Sequence, residues 1–391
     1  MMNRYTQLIN ESGNYAVDEM ILVKDVVTTA GSKILTGFKS LFSAEVIERL
    51  TKAGHTLAGV TPTGEFGLDL VGEFSNDHVQ TGALKGAAAE LVKDGAVAFA
   101  LGVDQNGAPR RAAALSNIAF LKPTYGTVSR YGINSCAASG EQVGVYAKDA
   151  KTIAETLTVI AGHDAKDGTS LPAERYDYTA DDVVSGKKVA VLKNVLEKAD
   201  DAVKTEIEKS IATLKQQGVV VELIDFDQAE LANIAWQILQ CAETCNNISR
   251  YDGVKYGYRA EKFKDIDELY VNSRTEGLNF LTKAVILYGS QVLSKEYYAD
   301  CYERALRARR SLVDALNALF ENYDAVLLPV CSGLSYESYD MKDAFDKVYE
   351  EMIYTSLASI TGMPALACGP VQFVGKAFDE STLLSLASAL K

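Results

Sequence analysis

The feature that most constrains the fold is a repeated alternation of short apolar runs with amphipathic segments. It is clearest at residues 187–226, where "KKVAVLKNV" is followed by "VKTEIEKSIATLKQQG" and then by "VVVELIDF". Short apolar runs bounded by glycine or charge are typical of buried strands, and the amphipathic segment between them is typical of a helix. Strands that alternate with helices predict an α/β fold, in which helices cover both faces of a large mixed or mostly parallel sheet.

A helix is also predicted near the N-terminus, in "SAEVIERLTKAG". Ser43 is the expected cap, because its hydroxyl can accept a hydrogen bond from the first turn. Val46, Ile47 and Leu50 share one face, and Gly54 ends the segment.

No linker, internal repeat or low-complexity tract divides the chain, so we expect residues 1–391 to form a single domain. The region 228–322 is helical in pattern and contains no proline. We therefore expect it to be a helical excursion between strands.

Charge and composition argue against several partners. The net charge of −13 disfavours direct binding to nucleic acid or to an anionic membrane. No apolar run is long enough for a transmembrane helix, and the first residues do not resemble a signal peptide. The six cysteines form no CxxC pair, which favours reduced thiols in a cytoplasmic protein; no metal or cofactor is expected.

Six stretches, in chain order, match one known family. They are "ILVKDVVTTAGSKIL" (21–35), "LKPTYGTVSRYG" (121–132), "IAGHDAKDGTS" (160–170), "SRYDGVKYGYRAE" (249–261), "SRTEG" (273–277) and "GMPALACG" (362–369). Together they resemble the amidase-signature family, and most of all the A subunit of aspartyl/glutamyl-tRNA amidotransferase. The resemblance implies the amidase-signature α/β fold, with the family's N-terminal helical region largely absent here.

The resemblance also implies a chemistry. Family members hydrolyse or transfer the amide of a small substrate such as glutamine, with a Lys–Ser–Ser triad. A neutral lysine acts through a bridging serine to deprotonate the nucleophilic serine, because a hydroxyl is a weak nucleophile without an adjacent base. A glycine-rich loop supplies backbone N–H groups to the oxyanion.

When the motif is carried over by position, only the lysine keeps its chemistry. It falls on Lys24, as a retained but vestigial base. The bridging serine is replaced by Leu84 and its neighbouring serine by Lys85, and Ala108 stands at the nucleophile position. We expect Lys24, Leu84 and Ala108 to converge in space, and the peptide bond at 83–84 to be trans.

The loop that would form the oxyanion hole reads Gln105, Asn106, Gly107 in "DQNGAPRRAA". The glutamine-holding positions of the family are changed as well. They fall on Trp236–Gln237, on Ala284–Val285 and on Met352.

A relocated nucleophile is the main alternative. Ser116, Ser129 and Cys136 follow the loop, but none lies on a glycine-rich turn. Only His55, His78 and His163 could serve as a histidine base, and His163 is interpreted as structural.

Three functions follow from these positions. The favoured one is a catalytically inactive homologue that binds a partner protein, such as an active amidase or another component of an amidotransferase, and serves as a scaffold or regulator. The alternative is an active amidase or amidotransferase A subunit with a rebuilt site. A weaker third possibility is a small-molecule binding module that reuses the old pocket, with an unknown ligand.

Overall fold

The computed structural model describes residues 4–73, 80–172, 178–181 and 183–390; His78 lies outside them. Its described strands form one sheet in the order β1-β3-β2-β4-β6-β5-β10-β11-β9-β7-β8. They are β1 (Gln7–Leu8), β2 (Tyr15–Asp18), β3 (Leu57–Thr61), β4 (Phe99–Asp104), β5 (Ala119–Lys122), β6 (Gln142–Ala147), β7 (Lys188–Leu192), β8 (Val220–Ile224), β9 (Ala325–Pro329), β10 (Ala365–Cys368) and β11 (Val371–Gly375).

The sheet is mixed. Strand β2 is parallel to both β3 and β4, and β7 is parallel to both β8 and β9. The strands from β4 through β6, β5, β10 and β11 to β9 pair antiparallel. The predicted mixed α/β sheet is thereby confirmed.

Both faces of the central strands are covered. Every residue of β4, β6, β9 and β11 is buried. Because successive side chains of a strand point to opposite faces, complete burial requires packing on both sides.

Helices supply this packing. The described α-helices are α1 (Glu45–Lys52), α2 (Ala87–Lys93), α3 (Ala108–Leu115), α4 (Ala150–Ile160), α5 (Lys193–Leu196), α6 (Asp201–Gln216), α7 (Ala229–Asn247), α8 (Ile266–Gly277), α9 (Phe280–Val292), α10 (Glu303–Leu319), α11 (Ala344–Glu351), α12 (Ser356–Thr361) and α13 (Glu380–Ser388). Between β8 and β9 the chain, described throughout, forms helices α7 to α10 and no strand. The assignment of the whole chain to one domain stays a prediction.

One local expectation was wrong. Helix α1 begins at Glu45 after Ala44, and Ser43 does not cap it; the Ser43 hydroxyl accepts a hydrogen bond from the Lys24 backbone N–H at 3.0 Å instead. A π-helical turn, Tyr298–Tyr302, precedes α10. Val46, Ile47 and Leu50 are buried as predicted.

No helix in the described ranges is both long and apolar enough to cross a membrane.

Candidate functional site

The candidate site lies where β2 and β4 end. These strands are parallel, with Val17 opposite Leu101, so their carboxyl ends meet at the same edge of the sheet. Strand β4 ends at Asp104, and helix α3 begins four residues later at Ala108. The connecting loop carries the positions that the sequence singled out.

Asp104 and Arg110 hold this loop in place. Asp104 accepts hydrogen bonds from the Gly107 backbone N–H at 3.0 Å and from Arg110 Nε at 2.7 Å. Arg110 also donates to Gln372 Oε1 at 2.7 Å and to Ser359 Oγ at 2.9 Å. Both charged side chains are fully buried, so the loop is fixed to the strand, the helix and the opposite part of the sheet.

Gly107 fits this position for two reasons. Its φ is +93°, in the left-handed region that residues with a side chain rarely adopt. A Cβ there would lie 2.4 Å from Thr355 Cγ2. The retained glycine is therefore required by the backbone and by the close approach of Thr355.

Ala108 carries only a methyl group where the resemblance implies a nucleophile. It is buried, and its backbone N–H donates to the side-chain oxygen of Asn106 at 2.9 Å. The Gly107 N–H is bonded to Asp104. Two donors of the former oxyanion loop are thus bound to the loop's own side chains.

The other side chains of this loop point into the protein. Gln105 donates to the carbonyl of Phe66 at 2.5 Å, and Asn106 donates to the carbonyl of Leu68 at 2.8 Å. Both are buried. Their hydrogen bonds fix the loop, and neither side chain is exposed to an open cleft.

The cavity beside Ala108 is small. It encloses about 30 Å³, whereas sites that enclose small-molecule ligands span about 300–1,000 Å³. Its lining includes Asp18, Gly86, Ala88, Pro109 and Tyr146. The space is comparable to the volume of a water molecule in the liquid, about 30 Å³.

Asp18, which the sequence analysis did not select, is the carboxylic acid in this lining, which also contains the Tyr146 phenol. Its carboxylate accepts hydrogen bonds from the backbone N–H groups of Met20 at 2.9 Å and Val103 at 2.8 Å. Burial raises the pKa of Asp18 to about 7, although the two hydrogen bonds act to lower it. The sequence contained a signal for Asp18. The apolar run "YAV", which forms β2, ends in this aspartate, and the end of a strand lies at the edge of the sheet where the candidate site is found.

Lys24 lies elsewhere. It is exposed and does not line the cavity beside Ala108. Lys24 follows β2 by six residues, in a surface turn, and its expected convergence with Leu84 and Ala108 stays a prediction. The strand end, where a side chain can reach the cavity, is occupied by Asp18.

Leu84 and Lys85 flank the cavity without lining it. Leu84 is buried, and its backbone N–H donates to the carbonyl of Tyr336 at 2.8 Å. Lys85 is exposed, with Nζ 3.7 Å from Glu90 Oε2. No peptide bond among the described residues is cis, so the bond at 83–84 is trans, as expected.

The positions that the resemblance assigns to glutamine binding include several buried side chains. The Trp236 indole is fully buried and donates its N–H to the Gln105 carbonyl at 2.9 Å. Val285 and Met352 are also fully buried. Ala284 and Gln237, beside them in the chain, are partly exposed.

The alternative nucleophiles are engaged in structural contacts. The Ser116 hydroxyl donates to Glu90 at 2.9 Å, and Glu90 also pairs with Lys93 at 3.4 Å. The Ser129 hydroxyl donates to Asp164 at 2.6 Å. Although burial acts to raise it, hydrogen bonds from Ser129 and from the Lys166 backbone hold the pKa of Asp164 below its usual value.

Cys136 and the described histidines are no better placed. Burial raises the pKa of the Cys136 thiol, which keeps it protonated and poorly nucleophilic. His55 contacts Asn14 at 2.9 Å, and His163 contacts Ser170 at 3.1 Å. In the described ranges no group of three or more His, Cys, Asp or Glu side chains is arranged to hold a metal ion.

Comparisons with known proteins agree with the motifs. The Amidase family matches residues 15–384. The A subunit of glutamyl-tRNA(Gln) amidotransferase from Heliobacterium modesticaldum is 34% identical over 396 residues, covering 96% of this chain and 81% of the relative. The protein of the same name from Coxiella burnetii is 35% identical, covering 95% of this chain and 81% of the relative.

Solved structures show the same fold. The A subunit of glutamyl-tRNA(Gln) amidotransferase from Thermotoga maritima has a TM-score of 0.82 and 25% identity, covering 99% of this chain and 86% of that chain. The structure of a 6-aminohexanoate cyclic dimer hydrolase has a TM-score of 0.78 and 17% identity, and the match covers 96% of this chain and 83% of that chain. At this identity the likeness is one of fold alone. With its motifs, its sheet and these relatives in agreement, the chain belongs to the amidase family.

Proposed function

We propose that this chain is a non-catalytic member of the amidase family that acts as a binding or scaffold protein for a partner protein. The observation that carries the proposal is Ala108. It stands at the start of α3, at the end of the loop that resembles the family's nucleophile loop, and it has no group that could attack an amide.

The surroundings of Ala108 support the same conclusion. The cavity beside it is about 30 Å³, too small for glutamine or any simple amide substrate. Its lining includes the Asp18 carboxyl, the Tyr146 phenol and the Thr63 hydroxyl but neither a lysine nor a serine, so a Lys–Ser–Ser relay has no members there. The same volume argues against a small-molecule site in the old pocket.

The alternative is an active amidase or amidotransferase A subunit with a rebuilt site. The names of the relatives favour it. It would need a new nucleophile, and the contacts of Ser116, Ser129 and Cys136 provide none that is exposed and activated.

A partner protein is supported by two observations. The relatives are named as subunits, and an apolar groove of about 360 Å³ lies between α8 and α9. Val271 and Leu287 in this groove are 62% and 71% exposed. Solvent-exposed apolar clusters of this kind mark interaction sites.

The groove also has a cationic rim in an acidic protein. Arg274 donates to the backbone carbonyls of Ile248 and Tyr251, and Lys283 donates to that of Thr275. We propose that the occupant is a segment of a partner protein with apolar side chains flanked by carboxylates. We also propose a cytoplasmic location, since no disulfide links the six cysteines, all of which are described.

The decisive experiment measures ammonia released from glutamine, asparagine and simple amides by the purified chain, alone and with the other components of an amidotransferase added. We expect no release above an enzyme-free blank. In serine hydrolases, loss of the nucleophile costs about 10⁶-fold in kcat. Turnover that is abolished by substituting a serine or cysteine of this chain would establish the alternative.

A further inference from the structure

A second cavity of the described structure lies away from Ala108. It encloses about 430 Å³, between the C-terminal part of α7, the π-helical turn and the loop around residues 125–139. It shares no lining residue with the cavity beside Ala108. Its volume is within the range of about 300–1,000 Å³ found for small-molecule sites.

One wall is built around Arg130. Arg130 Nη1 donates to Glu141 Oε1 at 2.7 Å, and Nε donates to Thr169 Oγ1 at 3.1 Å. Glu141 also accepts hydrogen bonds from the Ser135 hydroxyl and from the Cys136 backbone N–H. The guanidinium has five N–H donors, so those not used on Glu141 and Thr169 are available to a carboxylate in the cavity.

A second wall is built around Glu243. Its carboxylate accepts the backbone N–H of Ser139 at 2.8 Å and also the Ser139 hydroxyl. Arg309 Nη2 donates to the same hydroxyl at 2.7 Å and lies over the Trp236 ring. These contacts fix the Glu243 side chain while leaving lone pairs for a further donor.

The π-helical turn contributes two aromatic rings. Tyr298 and Tyr302 both line the cavity, with ring centroids 5.2 Å apart. Tyr125 lines it too, with the Arg130 guanidinium 5.5 Å from its ring centroid. π-Helical turns are rare and occur frequently at functional sites, and here the turn brings residues four apart to the same cavity.

The charges around the cavity balance. Arg130 is paired with Glu141, and Arg309 lies near Glu243. A site in which paired cationic and anionic groups keep unused hydrogen-bonding capacity beside aromatic rings favours a ligand that is neutral overall yet carries both charges.

We propose that this cavity binds a small zwitterion with an aromatic ring, of the class of the free aromatic amino acids. Its carboxylate contacts Arg130, its ammonium contacts Glu243, and its ring packs on Tyr298 and Tyr302. This site goes beyond the proposed function, because it requires neither amide hydrolysis nor a partner.

The test is calorimetric titration of the full chain with L-phenylalanine, phenylacetate and 2-phenylethylamine. We expect L-phenylalanine to bind with a Kd below about 1 mM. Each analogue lacks one charged group and should bind at least about tenfold more weakly. Absence of saturation by L-phenylalanine at about 10 mM, or equal binding of either analogue, would overturn the proposal.

Two variants locate the binding. Tyr298→Ala removes a ring that is 41% exposed, and Tyr270→Ala removes one that is 38% exposed in the groove between α8 and α9. The affinity for L-phenylalanine should fall at least about fivefold in Tyr298→Ala, because its ring stacking is lost, and should be unchanged in Tyr270→Ala. An unchanged affinity in Tyr298→Ala overturns the assignment of the site. The binding measurement does not depend on whether the chain releases ammonia, so this proposal and the proposed function fail separately.

Discussion

The cavity beside Ala108 encloses about 30 Å³, whereas the cavity beside the π-helical turn encloses about 430 Å³. The first lies where the family resemblance places chemistry, and its loop side chains bond to the protein itself. The second lies outside the motifs to which the family resemblance assigns catalysis. Its polar side chains have donors and acceptors that are not used in hydrogen bonds within the protein. In this chain, therefore, a buried framework holds the loop before α3, while the roomier cavity lies elsewhere.

The largest expected effect concerns that framework. Arg110→Met leaves Asp104 as an unpaired, fully buried carboxylate, so the free energy of unfolding should fall by about 3–5 kcal/mol. Arg310→Met, which removes an exposed pair with Asp314, should change it by less than about 0.5 kcal/mol. Urea denaturation measures both, and equal losses would contradict the idea that the loop is braced by its buried pair.

A comparison of two glycines tests whether the loop before α3 is held by close packing. Gly107 and Gly82 both have positive φ, but a Cβ at Gly107 meets Thr355 whereas a Cβ at Gly82 meets nothing within 4 Å. Gly82→Ala should cost about 1 kcal/mol from backbone strain alone. Gly107→Ala should cost a further 1–3 kcal/mol or so from overpacking. If thermal or urea unfolding shows equal losses, the close approach of Thr355 does not constrain the loop.

The Asp18 carboxyl makes the small cavity sensitive to pH. Its pKa is raised by burial from 3.8 to about 7, so in this window the folded protein holds a proton that the unfolded chain has released. The contribution of Asp18 to stability therefore falls as pH rises from about 4 to about 7, by up to about 1.4 kcal/mol per pH unit. Stability of Asp18→Asn relative to the unsubstituted chain should accordingly rise with pH across this window.

The matched control is Asp201→Asn, whose side chain is fully exposed. Its pH profile of stability provides the baseline against which the Asp18→Asn profile is compared. Parallel pH profiles for the unsubstituted chain and Asp18→Asn would show that Asp18 does not titrate in the folded cavity.

The smallest expected effect is on activity. The double variant Leu84→Ser/Ala108→Ser restores both hydroxyls, yet it should release no ammonia from glutamine, provided circular dichroism shows that it is folded. The cavity still excludes the substrate, and Asp18 rather than a lysine amine still lines it. Measurable turnover would mean that the region around Ala108 differs from an active site by only two side chains.

Much of the fold could be predicted because local patterns agree with it. The apolar runs that became β7 and β8 and the segment that became α6 are distinguishable by length and period alone. Ala108 was identified differently, by carrying the family resemblance over position by position onto "DQNGAPRRAA".

The rest depends on contacts between distant parts of the chain. Asp18 reaches the cavity because β2 pairs with β4, whose Val103 N–H it accepts across 85 residues. The Trp236 indole is held by a hydrogen bond to the Gln105 carbonyl, 131 residues away. The sequence motif suggested Lys24. Six residues along the chain separate the buried end of β2, which carries Asp18, from the exposed turn that carries Lys24.

The absence of catalysis is tested most directly by covalent labelling of the purified chain with a serine- and cysteine-reactive amidase inhibitor, read by intact mass and peptide mapping. An active amidase-family protein, labelled in parallel, serves as the positive control. We expect no stoichiometric adduct on this chain while the control is fully labelled, because no activated nucleophile borders the cavity beside Ala108. A single stoichiometric adduct on Ser116, Ser129, Cys136 or another residue of the chain, lost in the corresponding alanine variant, would contradict the non-catalytic assignment.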